Sequence, residues 1–416
     1  MTQTPPTDPG PGIRKAAEAT RARQAECDRV CAWLVAAVAA LLAVGIVLVY
    51  SASAIRADEQ MGTSLYFLKR QALWIGFGLA AAFALSRIDY RRYYALRWPL
   101  LVATVGLLVT VLVLGRPING ARRWLHPFGY SVQPSELAKY ALVVVLAAFL
   151  AHGARNRPMT ARRFAGLAGL VLMAAGLVAA EPDLGTALLL AGVLFAMLLA
   201  AGARVLHMGL LLAGVGPVAL WLMLTRYAHV AGRIQAWLQG GSEGKAHHAF
   251  MSLQTLGSGG LLGMGPGAGW AKLYYLPEAH TDFIYAVGGQ ELGLVGALGI
   301  LAAYAVLVGC GLRLAMRAPD AFARYLVFGI TLMLGAQAAM HIAVVTASVP
   351  TKGISLPLVS FGGSGLVCAL AGIGMLVSVA RHAYAPAGRL AAGADSEPWS
   401  AHFLARASAG APADGA

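Results

Sequence analysis

Repeated apolar runs of about 18 or more residues constrain the fold of this chain more than any other feature. Lipid cannot hydrogen-bond a peptide group, so a segment inside a bilayer has to satisfy its own backbone as a helix or within a closed barrel. The runs show no alternation with a period of two residues, which excludes a barrel. Charged residues make up only 12% of the chain, and its mean hydropathy is +0.67. The sequence therefore predicts an all-α, polytopic integral membrane protein.

Ten apolar runs are interpreted as membrane-spanning helices. They lie near 31–52, 71–86, 98–115, 137–152, 165–180, 184–202, 206–225, 283–311, 323–346 and 355–380. The longest connection, 226–282, follows the seventh span and is far longer than an ordinary loop. Residues 1–30 and 386–416 show little apolar periodicity, so both are expected to be disordered cytoplasmic tails. The spanning domain is accordingly assigned to 31–385.

The distribution of basic residues favours cytoplasmic termini, because Lys and Arg accumulate in cytoplasmic connections. This orientation places 20 of the 32 Lys and Arg residues in the cytoplasm and 226–282 outside. Of the 12 outside, six accompany unusual polar motifs: Arg122, Arg123, Lys139, Arg233, Lys272 and Lys352. A cationic outer face suggests an anionic ligand. Most of the net charge of +14 is explained by the basic residues of the cytoplasmic connections. The sequence has no basic stripe with interleaved aromatics, which would indicate a nucleic-acid partner.

Two polar segments lie between the third and sixth spans. In "NGARRWLHPFGYSVQPSELAK" (119–139), Glu136 and Lys139 share one helix face. The segment is either an interfacial loop that contacts lipid phosphates or part of a substrate site. An exposed pair at this spacing contributes only about 0.2–0.5 kcal/mol, so stability gives little reason for it. In "EPDLGT" (181–186), Pro182 suits a first helical turn and Asp183 suits a helix cap, which is the favoured interpretation.

The glycine-rich stretch "GSGGLLGMGPGAG" (257–269) is too flexible for regular structure. It either brings backbone N–H groups to a phosphate or acts as a mobile lid or hinge. It lacks the Lys-Ser/Thr ending of a P-loop, so the phosphate interpretation is weak by itself.

Acidic residues precede the eighth span in "YYLPEAHTDFIYA" (274–286). Pro277 suits the first turn of a helix, which would place Glu278 and Asp282 on one face. Their repulsion is costly unless a cation, a metal or a shared proton relieves it. The alternative is that both acids favour the positive end of a helix dipole. Near the tenth span, "PTKGISLPLVSFGGSG" (350–365) indicates either close helix packing or a broken helix that lines a cavity.

These motifs together resemble the FtsW/RodA family of peptidoglycan polymerases. The resemblance rests on "YSAS" (50–53), "NGARRWL", "QPSELAK", "EPDLGT", "SGGLLGMGPGAGWAKLYYLPEAHTDFIYA" and "PTKGISLPLVSFGGSG" in this order, and it covers about 30–385. "PTKG" before "SLPLVSFGGSG" is more similar to the FtsW, cell-division branch than to the RodA, elongation branch. Where the family shows "QPDLGT", "GEELG" and "SYGGSS", this chain has Glu181, "GGQELG" with Gln290, and "SFGGSG".

The resemblance implies a glycosyltransferase that polymerises lipid II, an undecaprenyl-pyrophosphate-linked disaccharide-pentapeptide, on the outer face of the cytoplasmic membrane. It implies a class B penicillin-binding protein and other division proteins as partners, and a place at the septum. The aspartate of the family's "HTDF" motif, its presumed catalytic residue, matches Asp282. The other residues expected to bind substrate are Arg122, Arg123, Glu136, Lys139, Arg233, Lys272, Glu278, His280, Lys352 and Ser360.

The residue types also fit this chemistry without the resemblance. A carboxylate such as Asp282 is suited to remove the proton of an attacking sugar hydroxyl, and cations suit a pyrophosphate leaving group. The sequence requires no cofactor, although Glu278 and Asp282 leave a shared divalent cation open. The rival class is a transporter that flips lipid II. Transporters bind near the bilayer midplane, whereas the ionisable residues here cluster at the outer interface, which favours an enzyme.

Overall fold

The computed structural model describes most of the chain, namely residues 11–118, 121–127, 131–152, 159–226, 228–239, 247–270, 276 and 278–383. Its helices are α1 (Pro11–Met61), α2 (Tyr66–Arg87), α3 (Arg91–Ala95), α4 (Arg97–Leu114), α5 (Pro134–His152), α6 (Ala161–Ala180), α7 (Leu184–Ala200), α8 (Val205–Arg226), α9 (Ala228–Gln239), α10 (His247–Ser258), α11 (Ile284–Met316), α12 (Ala321–Val345) and α13 (Gly363–His382). A hairpin of β1 (Arg116–Ile118) and β2 (Ala121–Trp124) is the one sheet within these ranges. The all-α class is therefore confirmed.

Seven of the described helices are long and apolar enough to cross a membrane: α1 from Glu18 onward, α4, α5, α6, α11, α12 and α13. α7 and the first part of α8, Val205–Val218, are apolar but shorter. α2 covers the second predicted span and begins earlier, with Lys69 and Arg70 in its first turns. Each of the ten predicted spans thus falls on a helix, whereas the number of crossings stays a prediction.

The core of the molecule is built around α5, which is buried along most of its length. α12 and α4 pack against α5, α13 packs against α2, and α11 packs against α1 and α12. α4, α6 and α11 leave most of their residues at the protein surface. The exposed side chains there are apolar, such as Val102, Leu114 and Val295, as expected where a helix faces lipid.

The last membrane helix begins later than the sequence predicts. The tenth span was placed at 355–380, but α13 begins at Gly363. Pro357 has no N–H to donate, and Leu358 has a positive φ of 68°. Ser360 Oγ and the Phe361 N–H bond to carbonyls of the chain at 280–281. The alternative of a broken helix therefore describes this segment better than close packing alone, and it leaves a non-helical loop at 351–362.

α11 is interrupted by the glycine-rich stretch. Gly293 adopts a left-handed backbone (φ 69°) inside α11, and a Cβ at this position would lie 2.3 Å from the Gly263 nitrogen. The N–H groups of Met264 and Gly265 donate to the carbonyls of Gln290 and Glu291 at 3.0 Å. The stretch beyond Ser258 has no helix, as expected. These two N–H groups already have carbonyl partners, so the phosphate interpretation is wrong for them.

The N-terminal expectation needs a correction. Residues 11–30, assigned from sequence to a disordered tail, form the first part of α1. Ala, Arg, Glu and Gln dominate this part of the chain after Gly12, and these residues favour a helix that continues into the apolar span. Gln24 donates to the Ala380 carbonyl at 3.1 Å, and Glu26 pairs with Arg317, so contacts with α13 and the end of α11 hold the extension. Residues 386–416 lie outside the described residues.

Candidate active site

Asp282 lies in a turn before α11 and does not cap this helix. The N–H groups of Thr281 and Asp282 donate to the Glu278 carbonyl at 3.1 and 3.0 Å, and Glu278 has a positive φ of 51°. α11 begins after Phe283, which makes no side-chain cap. The prediction that Glu278 and Asp282 share a helix face is therefore wrong. Asp282 gives α11 no capping hydrogen bond among the described residues, and its place directly before Phe283 leaves the helix-dipole alternative open.

The loop at 351–362 packs against this turn and holds its backbone. Ser360 Oγ donates to the Thr281 carbonyl at 2.6 Å, and the Phe361 N–H donates to the His280 carbonyl at 3.0 Å. Gly353 lies against the carboxylate itself, because a Cβ there would be 3.0 Å from Asp282 Oδ2. The loop thus fixes the peptide groups on both sides of Thr281 and closes one side of the Asp282 carboxylate.

His280 belongs to the support of the turn. Its ring packs against Phe67 of α2 and Phe361, with centroid distances of 4.8 and 5.7 Å, and it is buried. Burial lowers the pKa of His280, although Glu278 opposes this shift. A neutral, aromatic-packed imidazole fits a structural contact beside Asp282 better than a direct contact with substrate.

The environment of Asp282 suits a general base. Its side chain is half-buried, and this burial is the main reason why its pKa rises to about 7. The negative charge of Glu278 raises the pKa further, whereas Arg233 lowers it. A carboxylate that titrates near neutrality accepts a proton more readily than an exposed one and remains partly ionised at physiological pH.

Sequence reasoning missed Arg56 as a partner of Glu278. Both terminal nitrogens of Arg56 lie 3.4 Å from Glu278 Oε1, and both side chains are partly exposed. Arg56 follows the "YSAS" motif near the end of α1, so the pair joins two segments 222 residues apart. The one sequence signal for such a role was the position of Arg56, a basic residue directly after an apolar run and on the predicted outer side.

Two cations lie at residues 351–353: Lys352 belongs to this part of the loop, and Arg233 contacts it from α9. Arg233 of α9 donates to the Thr351 carbonyl at 3.3 Å, and Trp237 of the same helix donates to the Ala347 carbonyl at 2.7 Å. Lys352 is half-buried, and among the described residues its ammonium has no hydrogen bond or ion pair. Burial lowers the pKa of Lys352, and Asp183 opposes this effect. Lys272 lies outside the described residues.

The hairpin arginines differ in their surroundings. Arg123 Nε donates to the Glu181 carbonyl at 3.0 Å, and its terminal nitrogens reach the Pro182 carbonyl and lie 4.0 Å from Asp183. Arg123 therefore satisfies carbonyls at the end of α6. Arg122 is exposed, and among the described residues it reaches the Leu112 carbonyl alone, at 3.5 Å. Of the two, Arg122 is the one open to a ligand.

Asp183 caps α7, as the sequence predicts. Its carboxylate accepts from the Thr186 N–H at 3.1 Å and from the Thr186 hydroxyl at 3.0 Å. The Gln133 amide also donates to it, at 3.1 Å. Pro182 precedes this cap and lies outside the helix, so its predicted place in the first turn is wrong.

Glu136 and Lys139 are inside the protein and not at a lipid interface. Lys139 is 1% exposed, and its ammonium donates to Glu136 Oε1 at 2.9 Å and to Gln337 Oε1 at 2.7 Å. The interfacial-loop alternative is therefore wrong for this pair. Lys139 of α5 thus contacts Gln337 of α12, and Glu136 lies against Gly365 of α13.

Comparison with known proteins identifies the family. A family model described as "Cell cycle protein", covering FtsW, RodA and SpoVE, matches residues 32–385. The chain belongs to the FtsW/RodA/SpoVE family. Stage V sporulation protein E of Bacillus subtilis is 38% identical over 347 residues, which cover 82% of this chain and 94% of that protein. A "Probable peptidoglycan glycosyltransferase FtsW" of Trichlorobacter lovleyi is 38% identical over 364 residues, 86% of this chain and 94% of that protein.

Solved structures agree with this family. A chain in the structure described as "Structural coordination of polymerization and crosslinking by a peptidoglycan synthase complex" is 32% identical, with a TM-score of 0.69 over 85% of this chain and 98% of that chain. The rod shape determining protein RodA of Thermus thermophilus is also 32% identical, with a TM-score of 0.64 over 85% of this chain and 97% of that chain. The family resemblance and the membrane fold predicted from sequence are therefore confirmed.

Two departures from the FtsW/RodA pattern now have places in the fold. Gln290 is buried at the break in α11, where its amide donates to Ser258 Oγ at 2.9 Å, so a neutral side chain suits this position. Glu181 is buried, and neither carboxylate oxygen has a hydrogen-bond partner among the described residues. Burial, then the charge of Asp183, raises the pKa of Glu181 to about 8.

The described residues contain no group of three His, Cys, Asp or Glu side chains that could hold a metal ion.

Proposed function

We propose that this chain is a peptidoglycan glycosyltransferase that polymerises lipid II at the outer face of the cytoplasmic membrane, with Asp282 as its general base. The single observation that carries the role of Asp282 is its half-buried carboxylate, with a pKa near 7, against Gly353 in a member of the FtsW/RodA/SpoVE family. Relatives named as probable peptidoglycan glycosyltransferases support the activity.

In the proposed reaction a hydroxyl of the acceptor sugar attacks the anomeric carbon of the donor. Its proton passes to the Asp282 carboxylate as the new C–O bond forms. The bond from the anomeric carbon to the lipid pyrophosphate breaks, and the leaving group takes the electron pair. Direct displacement inverts the configuration at the sugar. No covalent intermediate on the protein is required.

Cations in and near the loop at 351–362 are suited to stabilise the pyrophosphate leaving group. Charge develops on the pyrophosphate as the bond breaks, and positioned donors stabilise such charge. Lys352 is suited to this because its ammonium is partly desolvated and forms no ion pair among the described residues, although the charge of Asp183 raises its pKa. Arg233 on α9 and the exposed Arg122 are further candidates, as is Lys272 outside the described residues. A divalent cation shared with Glu278 stays compatible with the proposal.

The relatives support a partner and a cellular role. The similarity to a chain of a peptidoglycan synthase complex supports a class B penicillin-binding protein, a transpeptidase, as the partner. Names of FtsW relatives favour a septal role with other division proteins, and the RodA-like alternative is an elongation polymerase. A tagged copy in living cells distinguishes the two: septal bands favour division, and side-wall signal favours elongation.

The test uses the full chain, purified in detergent with its transpeptidase partner and given labelled lipid II. Wild type should produce a ladder of glycan polymers. A transporter would produce no glycan polymer, because it only moves lipid II across a bilayer and detergent provides none. Asp282→Asn should bind lipid II and the partner but make essentially no glycan, since losing a positioned base costs about a hundred- to ten-thousand-fold in rate. More than about a tenth of wild-type activity in this variant would contradict the role of Asp282 as base.

A further inference from the structure

The fully buried ammonium of Lys139 has a directional contact with Gln337. An ammonium only donates, so the side-chain oxygen of Gln337 has to face it, at 2.7 Å. The amide nitrogen of Gln337 then points the other way and donates to the Ser355 carbonyl at 2.9 Å. Gln337 is 3% exposed. Lys139 therefore sets which way Gln337 faces, and Gln337 in turn holds the loop at 351–362.

The same loop peptide continues the chain of hydrogen bonds. The peptide between Ser355 and Leu356 accepts from Gln337 through its carbonyl and donates through its N–H to Ser360 Oγ at 2.9 Å. The Ser360 hydroxyl donates to the Thr281 carbonyl at 2.6 Å. This carbonyl belongs to the peptide that carries the nitrogen of Asp282. Four successive hydrogen bonds thus connect Lys139 to the backbone of the proposed base.

All donors in this series point toward Asp282. Hydrogen bonds in such a chain polarise one another, and a charged donor at the buried end strengthens them. Stability alone gives a poor reason for the arrangement, because a buried ion pair such as Lys139 with Glu136 is often no more stabilising than apolar residues of similar volume. Positioning of the turn at 278–282 gives a better one.

We infer that Lys139, Gln337 and Ser360 form a positioning relay, which holds the peptide of Asp282 in place for the glycosyl transfer; the inference rests on the proposed function. Gln337 is a residue for which the sequence predicted no role. Lys139 and Ser360 were expected to bind substrate, and the relay assigns them a different task. The rival is direct contact, since Gln337, Ser355 and Ser360 also line a small cavity of about 10 Å³.

Single variants separate the relay from direct contact. A displacement of about 1 Å at a reacting group costs on the order of a hundredfold in rate, so Ser360→Ala and Gln337→Leu should lower kcat about 10- to 100-fold. KM for lipid II should stay within about twofold, because an interaction needed only in the transition state is lost. Gln337→Glu should behave like Gln337→Leu, since a carboxylate cannot donate to the Ser355 carbonyl. Ser360→Thr keeps the hydroxyl and should rescue kcat.

The decisive measurement is a double-mutant cycle in kcat. If both residues act through one chain of hydrogen bonds, Gln337→Leu with Ser360→Ala should be no slower than the slower single variant. Ser378→Ala is the matched control: this buried serine on α13 donates to the Ile88 carbonyl at 2.5 Å. Combined with Gln337→Leu, it should be additive, with kcat near that of Gln337→Leu alone.

The possible outcomes are distinct. A raised KM with unchanged kcat would show direct substrate contact, and additive losses in the cycle would show independent effects; either overturns the relay. Absence of polymer with wild type overturns the proposed function instead. In that case, and for any variant without activity, labelling of Asp282 by a hydrophobic carbodiimide, read by mass spectrometry, tests the relay. Faster labelling in Ser360→Ala than in Ser360→Thr supports the relay, and equal rates refute it.

Discussion

The carboxylate of Asp282 titrates near neutrality because burial and the charge of Glu278 both oppose its ionisation. Arg233 offsets part of this effect, while Arg56 pairs with Glu278 and not with Asp282. The result is a base that is about half ionised near pH 7. The pKa of Asp282 thus depends on three charged neighbours: Glu278 in the same turn, Arg233 of α9 and Asp183 before α7, which also raises it.

The pH dependence of polymerisation tests this environment. Only ionised Asp282 accepts a proton, so kcat should rise with pH through an apparent pKa of about 7. Glu278→Gln removes a charge that raises the pKa of Asp282, so the rising limb should move to lower pH. The measurement is kcat against pH for both proteins, with the exposed Glu18→Gln as a control that should not move the limb. A limb that stays in place or moves upward in Glu278→Gln would contradict this account.

Glu181 supplies a second prediction at this scale. Its folded pKa of about 8 lies above the ordinary value of 4.5, so its contribution to stability is present below 4.5 and is lost as pH rises through about 8. Glu181→Gln removes this loss. The variant should therefore melt at a higher temperature than wild type at alkaline pH, and the difference should shrink toward pH 4.5. Thermal unfolding in detergent measures it, with Glu18→Gln as the exposed control; a lower melting temperature of Glu181→Gln at alkaline pH would refute the prediction.

At the scale of elements, two interrupted segments build the site. The late start of α13 frees the backbone at 351–362 for contacts with Thr281 and Gln337, and the break at Gly293 lets the glycine-rich stretch pack into α11. Non-helical backbone at membrane depth is tolerated where protein satisfies its polar groups. The hydrogen bonds of both segments meet this condition.

The break in α11 predicts opposite effects of two identical substitutions. Gly293→Ala places a Cβ 2.3 Å from the Gly263 nitrogen on a left-handed backbone, and such strain costs about 1–3 kcal/mol. Gly299→Ala lies in the same helix with open space around its Cβ and should be neutral or stabilise α11 by up to about 1 kcal/mol. Unfolding in detergent compares them. Equal melting temperatures of the two variants would mean that the break is not structurally required.

At the scale of the whole molecule, sequence periodicity predicted the helices because lipid imposes one solution on every long apolar run. The family resemblance singled out Asp282, and Lys352 and Ser360 were expected to bind substrate with it. The sequence did not predict the partners of Glu278 or Lys139, since Arg56 and Gln337 are 222 and 198 positions away. Contacts across such separations depend on how helices pack, and a single sequence carries no direct signal for them. The break in α11 was not predicted, and the interruption before α13 was one of two alternatives. The residues that hydrogen-bond to these interrupted segments are distant in the sequence.

Orientation in the membrane is the remaining property of the whole molecule, and the basic residues predict it. We expect α9 and the turn at 278–282 outside and the connection between α11 and α12 in the cytoplasm, because 20 of the 32 Lys and Arg residues then lie inside. Gln235 and Pro319 are exposed positions in these two regions.

Single cysteines at these two positions test the orientation, in a background where the four native cysteines are replaced. A membrane-impermeant maleimide added to intact cells should label Gln235→Cys, while Pro319→Cys should react only after the membrane is opened. Labelling after lysis shows that both sites are accessible in the folded protein, so protection in intact cells reflects sidedness. The reverse pattern would place Asp282 and its cations on the cytoplasmic side, where a polymerase of the outer face could not work.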